Sequence, residues 1–136
     1  MKLSISETKI NSEKNIEIID ITEKVNNYVS ENNVQKGIIT IASKHTTTAL
    51  IINENEPRLL EDIKNQLAEL VPDNKKYLHN IHDDNASSHI KSILLNSSQT
   101  VPIIDGKLNL GTWQSILFVE LDGPRQRTVT LSLTGE

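Results

Sequence analysis

Apolar and polar side chains alternate over the first ten residues, MKLSISETKI, with Leu3, Ile5 and Ile10 set among polar partners. A period of two predicts a strand with one wet face. IEII (16–19) predicts a second, short strand. The period then lengthens: Ile21, Val25, Tyr28 and Val29 fall at i, i+4, i+7 and i+8, one face of a helix ending in SENN (30–33). Asp20 and Glu23 have the spacing of a capping box at its start. GIITIAS (37–43) is a nearly continuous Ile-rich run and predicts a buried strand. The hydroxyl-rich residues 46–48 are either a bend or β-branched strand, and ALIIN (49–53) is a further strand.

The clearest helix is NEPRLLEDIKNQLAEL (55–70). Pro57 suits a first helical position with Asn55 or Glu56 as cap, and Leu59, Leu60, Ile63, Leu67 and Leu70 line one face. Pro72-Asp73-Asn74 ends it. Residues 75–88 are polar and irregular, and a short helix is predicted from about 88 to 95. QTVPII (99–104) is a strand that Pro102 pushes toward an edge. Asp105-Gly106 is a hairpin turn, and SILFVEL (115–121) and TVTLSL (128–133) are strands. The sum is about seven or eight strands with two main helices: an α+β fold of mostly antiparallel sheet, in one domain over residues 1–136.

Composition narrows the function. The absence of cysteine excludes disulfides, thiolate metal sites and cysteine nucleophiles. A net charge of -4 argues against a non-specific nucleic-acid binder. At 136 residues the chain is too short for a TIM barrel. No apolar run is long enough to span a membrane and the first residues lack a signal-peptide core, so a soluble cytoplasmic protein is expected. The rare side chains are clustered. His79, His82 and His89 fall within eleven residues, Trp113 is the only tryptophan, and Arg125 and Arg127 are two of only three arginines.

Each cluster has a chemical and a bland reading. Histidines are common ligands of divalent metals, but a loop histidine is more often a surface residue, and His45 between two apolar strands could simply hydrogen-bond in the sheet. In GTWQ (111–114), Gly111 permits close backbone approach, Trp113 offers a flat apolar face and Gln114 both a donor and an acceptor. Alternatively Trp113 is a core residue at a strand bend. In ELDGPRQR (120–127), Arg125 and Arg127 share one face of a strand and suit a phosphate or carboxylate, or else form salt bridges to Glu120 or Asp122. Glu54, Asp83 and Asp84 are candidate bases.

HTTTALIINE (45–54), the YLH…NASSHIKSILL stretch (77–95), VPIIDGKLNLGTWQSI (101–116) and ELDGPRQRTVTLSLTGE (120–136) together resemble the YjbQ family, also called the secondary thiamine-phosphate synthase family. The resemblance spans about residues 5–136. It implies a compact α+β fold, a homotrimer, and a metal site of three histidines, which fall on His45, His79 and His89. His82 lies outside the matched positions. It places the family's acidic residue on Glu54, a candidate catalytic residue, and the substrate-binding set on Thr112, Trp113, Gln114, Arg125 and Arg127, with Arg125 also catalytic; which acidic residue acts as base stays open.

The activity implied is a weak or secondary thiamine-phosphate synthase reaction. A pyrimidine diphosphate condenses with a thiazole phosphate and releases pyrophosphate. Arg125, Arg127 and a metal would stabilise the departing charge. Three histidines suit a zinc-type ion, whereas a diphosphate substrate usually brings magnesium, which prefers oxygen ligands. Two other readings stay open: a metal-assisted hydrolase of a small phosphorylated or anionic substrate, and a non-catalytic trimer that binds a metal or small ligand. The trimer predicts a site at a subunit junction, with His45 and the 79–89 loop meeting Arg125 of a neighbour.

Overall fold

A computed structural model describes all residues, 1–136. In chain order the elements are β1 (Lys2–Asn11), β2 (Glu17–Asp20), α1 (Thr22–Glu31), β3 (Lys36–Ser43), β4 (Thr48–Asn53), α2 (Pro57–Leu70), a 3-10 turn (Leu78–Ile81), α3 (Ala86–Leu95), β5 (Ser98–Ile104), β6 (Lys107–Leu108), β7 (Ser115–Glu120) and β8 (Gln126–Gly135). The α+β class is as expected, and every strand pairing is antiparallel. Two sheets form, one in the order β1-β8-β3-β5-β6 and the other β2-β7-β4.

The core lies between the sheets. Ile39 and Ile41 of β3, Val101 and Ile103 of β5, and Val129, Leu131 and Leu133 of β8 face Leu50 of β4 and Ile116 and Phe118 of β7. Val25 and Val29 of α1 pack into the same cluster. The alternation read in β8 is this pattern, with odd-numbered residues inward and even-numbered ones half-exposed. Ala49, Val119 and Leu121 form a smaller cluster with Leu95 of α3.

Local chemistry explains the boundaries. The Glu56 side chain accepts hydrogen bonds from the N–H groups of Arg58 and Leu59 and caps α2, with Pro57 just inside. The expected capping box at α1 does not form. Asp20 Oδ1 instead accepts from the backbone N and hydroxyl of Thr22, which leaves Ile21 at the cap position. Asp105 and Gly106 both take positive φ, the backbone of a two-residue hairpin turn. α3 begins at Ala86, two residues before its expected start.

α3 is turned inside out relative to an ordinary amphipathic helix. It buries Ala86, Ser87, Ser88, Lys91 and Ser92 and leaves Ile93 and Leu94 80% and 60% exposed. Hydroxyls replace apolar packing as its anchors. Ser88 donates to the Leu121 carbonyl at 2.7 Å and Ser92 to the Thr48 carbonyl at 2.5 Å, tying α3 to both β4 and the end of β7. Ser87 donates to Asp73, which also faces the buried Lys91 Nζ at 3.8 Å. These bonds fix the segment that carries His79 and His89 against the small sheet. No helix is long and apolar enough to cross a membrane.

Candidate active site

One end of the small sheet, where Thr48 pairs with Glu120, opens into a polar cleft of about 450 Å³. It is lined by Lys44, His45, Thr46, Thr47, His79, Asp83, Asn85, His89, Asp122, Arg125 and Arg127. Three chain segments distant in sequence meet here: the β3–β4 bend, the loop into α3, and the β7–β8 turn. Arg125 stands in the same cleft as His45, His79 and His89 of its own chain.

The arginines do not form an exposed pair. Arg127, on β8, is buried, and Nε donates to Glu120 Oε1 at 2.8 Å while Nη2 donates to Glu120 Oε2 and to Thr47 Oγ1. Burial pushes the Glu120 carboxyl up, but the hydrogen bonds from Arg127, Ser12 and the Asp122 N–H outweigh it and hold the group below the ordinary carboxylate range. Arg127 keeps only Nη1 without a partner in the chain. Arg125 lies outside the strand and is exposed, with Nε on the Asp122 carbonyl and Nη2 3.3 Å from Asp122 Oδ2. The salt-bridge readings therefore hold for both arginines. Arg125 nevertheless keeps its remaining donors for the cleft.

Asp122 starts a second chain of bonds. Its Oδ2 accepts from Asn85 Nδ2 at 3.0 Å, so the Asn85 carbonyl oxygen points the other way, and it lies 2.9 Å from His79 Nε2. A carbonyl oxygen can only accept, so Nε2 carries the proton in neutral His79 and Nδ1 is left with its lone pair. Arg125, Asp122, Asn85 and His79 thus form one connected row. The rings of His79 and His89 meet edge to face, with centroids 4.9 Å apart.

His45 is different. Its Nε2 accepts the backbone N–H of Thr128 at 2.8 Å. Desolvation and the nearby Arg127 push its pKa down, against the pull of Glu120. The neutral ring then carries its proton on Nδ1, and neither nitrogen has a free lone pair. This does not fit the three-histidine metal set, and no three His, Asp or Glu side chains are arranged to hold an ion. Asp83 also lines the cleft with no partner for its carboxylate, an oxygen ligand of the kind that magnesium prefers.

The remaining expected residues lie elsewhere. β4 and β7 run from Thr48–Glu120 at the cleft to Asn53–Ser115 at the far end, about 17 Å of strand. Glu54, Thr112, Trp113 and Gln114 sit at that far end, and none of them lines the cleft. Trp113 is 73% exposed rather than a core residue at a bend. Gln114 Oε1 closes the turn by accepting from Gly111 N. Gly111 makes no close approach, since a Cβ there would meet nothing nearer than 3.4 Å. Asn85 and Thr47 were not singled out from the sequence. Their roles come from partners 37 and 80 residues away.

Comparison with known proteins agrees with the fold. The family model described as UPF0047 protein YjbQ-like matches residues 6–136. A UPF0047 protein of Methanothermobacter thermautotrophicus is 45% identical, over 100% of this chain and 95% of that one. The UPF0047 protein YugU of Bacillus subtilis is 37% identical, over 93% of this chain and 96% of the relative. Among solved structures, a YbjQ-like protein of unknown function from Sulfolobus solfataricus superposes with a TM-score of 0.96 at 36% identity, covering 99% of both chains.

Proposed function

The chain belongs to the YjbQ-like UPF0047 family, and on that premise we propose that it is an enzyme that binds a small phosphorylated substrate in the polar cleft and catalyses departure of a phosphate or diphosphate group. The reaction we assign is thiamine-phosphate synthesis, as a secondary activity. The observation that carries this reading is the Arg125–Asp122–Asn85–His79 row. It places a guanidinium and an imidazole whose Nδ1 has no partner in the chain in one cleft.

In this reaction the carbon–oxygen bond to the diphosphate breaks and a carbon–nitrogen bond to the thiazole forms. Arg125 and Nη1 of Arg127 face the departing charge, and fixed donors of this kind stabilise charge that develops in the transition state; Lys44 also lines the cleft, with its ammonium paired to Glu7 at 3.0 Å. The thiazole nitrogen attacks with its lone pair and becomes a thiazolium cation, so no proton leaves at that bond. His79, once protonated at Nδ1, gives that proton to the departing diphosphate as a general acid. Asp83 would hold a magnesium ion carried by the diphosphate, which would neutralise part of its charge. The proposal includes a homotrimer, with the outward apolar face of α3 as contact surface between copies.

The test is formation of thiamine phosphate from the two substrates. We expect slow turnover that requires both and yields pyrophosphate. His79→Ala should lower it about 100-fold, within the usual range for a general acid or base. Arg125→Ala should lower it about as much, while Trp113→Ala in the separate turn should change it less than about threefold. Undiminished turnover in both cleft variants would move the active site away from the cleft. Release of phosphate without the thiazole substrate would make the protein a hydrolase instead.

A further inference from the structure

Two unpartnered apolar features stand at opposite ends of the small sheet. Beside the cleft, at the Thr48–Glu120 end, an open pocket of about 370 Å³ is lined by Tyr77, Leu78, His79, Ala86, His89 and Ile90. Ile93 lies three residues after Ile90 on α3 and continues its apolar surface outward. At the Asn53–Ser115 end, Trp113 projects 73% exposed from a turn closed by two bonds. Gln114 N donates to the Gly111 carbonyl at 3.0 Å, and Gly111 N to Gln114 Oε1 at 2.8 Å. About 17 Å of strand separates the two ends, so Trp113 cannot enter the pocket of its own chain.

We propose that Trp113 of one copy fills the pocket beside Tyr77 and Ile90 of the next, so that the chain assembles head to tail. The proposal rests on the homotrimer proposed above and names the surface that meets the α3 face. A closed ring of three cannot be built from one self-complementary patch; each copy shows one surface to one neighbour and a different surface to the other. The pocket and the Trp113 turn are two such surfaces. They also fit each other. An apolar cavity of about 150 Å³ admits benzene, so this larger pocket takes an indole. A buried indole N–H needs an acceptor. His79 Nε2 is already bonded to Asn85, whereas the His89 ring is bonded to nothing in the chain and offers one nitrogen lone pair when neutral. The charges match as well. Lys75, with Nζ 5.9 Å from the Tyr77 ring centroid, and Lys76 are exposed beside the pocket and outside any ion pair. Glu54, next to Asn53, and Asp20, bonded to Asn55 at 3.1 Å, stand at the Trp113 end without a cation. A basic rim thus meets an acidic one. The docked indole packs on His79 and His89 from outside the cleft and touches no reacting atom.

Trp113 is the only tryptophan and the chain has no cysteine, so tryptophan fluorescence and introduced thiols each report a single place. Sedimentation velocity on the same samples gives the state of assembly. In the assembled protein we expect Trp113 emission shifted to the blue and quenched severalfold less by acrylamide than after dilution to the monomer. Thr112→Cys and Leu78→Cys, both at exposed positions, test the contact directly. Treated with a bis-maleimide too short to join the two ends of the small sheet within one chain, the chain with both substitutions should give covalent dimers and trimers on a denaturing gel. Either substitution alone should give none. A chain that sediments as a monomer at every concentration removes the trimer and this contact together. A trimer whose Trp113 is quenched as fully as in the monomer, or whose doubly substituted form is not cross-linked, overturns the contact alone. Dimers from Thr112→Cys by itself overturn it too, since two turns would then meet each other.

Discussion

A backbone N–H is a donor and nothing else, so the contact from Thr128 fixes His45 Nε2 as an acceptor and the ring as neutral. Burial and Arg127 hold its pKa below the ordinary value. Below about pH 6.5 the unfolded chain binds a proton that the folded chain refuses, so stability is full above that value and falls as the pH drops toward the folded pKa. Glu120, also held low, adds a second loss below about pH 4.3. The melting temperature should therefore fall between pH 7.5 and 5.5, and fall again on further acidification. His45→Gln keeps an acceptor for Thr128 but does not titrate, so it should flatten the first interval only. Equal acid sensitivity in both chains would remove His45 from the account. The sequence left His45 between a metal ligand and a sheet hydrogen bond. The deciding donor is 83 residues away, beyond the reach of any local pattern.

At the scale of elements, Glu120 on β7 and Arg127 on β8 join the two sheets through a buried ion pair, with Ser12 and Thr47 completing its hydrogen bonds. Removing one partner strands a buried charge and typically costs about 3–5 kcal/mol, whereas replacing both by apolar groups can be nearly neutral. Urea unfolding of Arg127→Met should show a loss of that size, and the double variant Glu120→Leu/Arg127→Met should recover most of it. An unaffected single variant would mean that the pair does not hold the sheets. The strands were largely legible: alternation in β8, the Ile-rich run of β3 and the Asp-Gly turn each report a local constraint. The helices were legible in position but not in facing. α2 shows its Leu stripe with only Leu67 buried, and α3 turns its serines inward because carbonyls at Thr48 and Leu121 await donors.

For the whole molecule, that reversal leaves apolar surface without a partner. Ile93 and Leu94 stand out from α3, and Leu78 and Ile81 from the preceding turn. Exposed apolar patches of this kind mark contact surfaces. Sedimentation velocity should show a trimer for the native chain and a monomer for an Ile93→Glu/Leu94→Glu chain with unchanged circular dichroism. A trimer that survives both charges would place the contact elsewhere.

The sequence by itself determined the α+β class, the strand order along the chain, the single domain and the family, because periodicity, turn residues and motif spelling are local properties. It also identified the histidine and arginine clusters as the places to look. Only the tertiary structure decided what those residues can do. It divided one expected site into a cleft and a distant Trp113 turn, because β4 and β7 separate residues 45–48 from residues 54 and 111–114 by a full strand length. It buried Arg127 and freed Arg125. It set the proton of His79 through Asn85 and Asp122, and that of His45 through Thr128. Hydrogen-bond partners and burial depend on which segments meet across the fold, and a sequence pattern reports only neighbours along the chain.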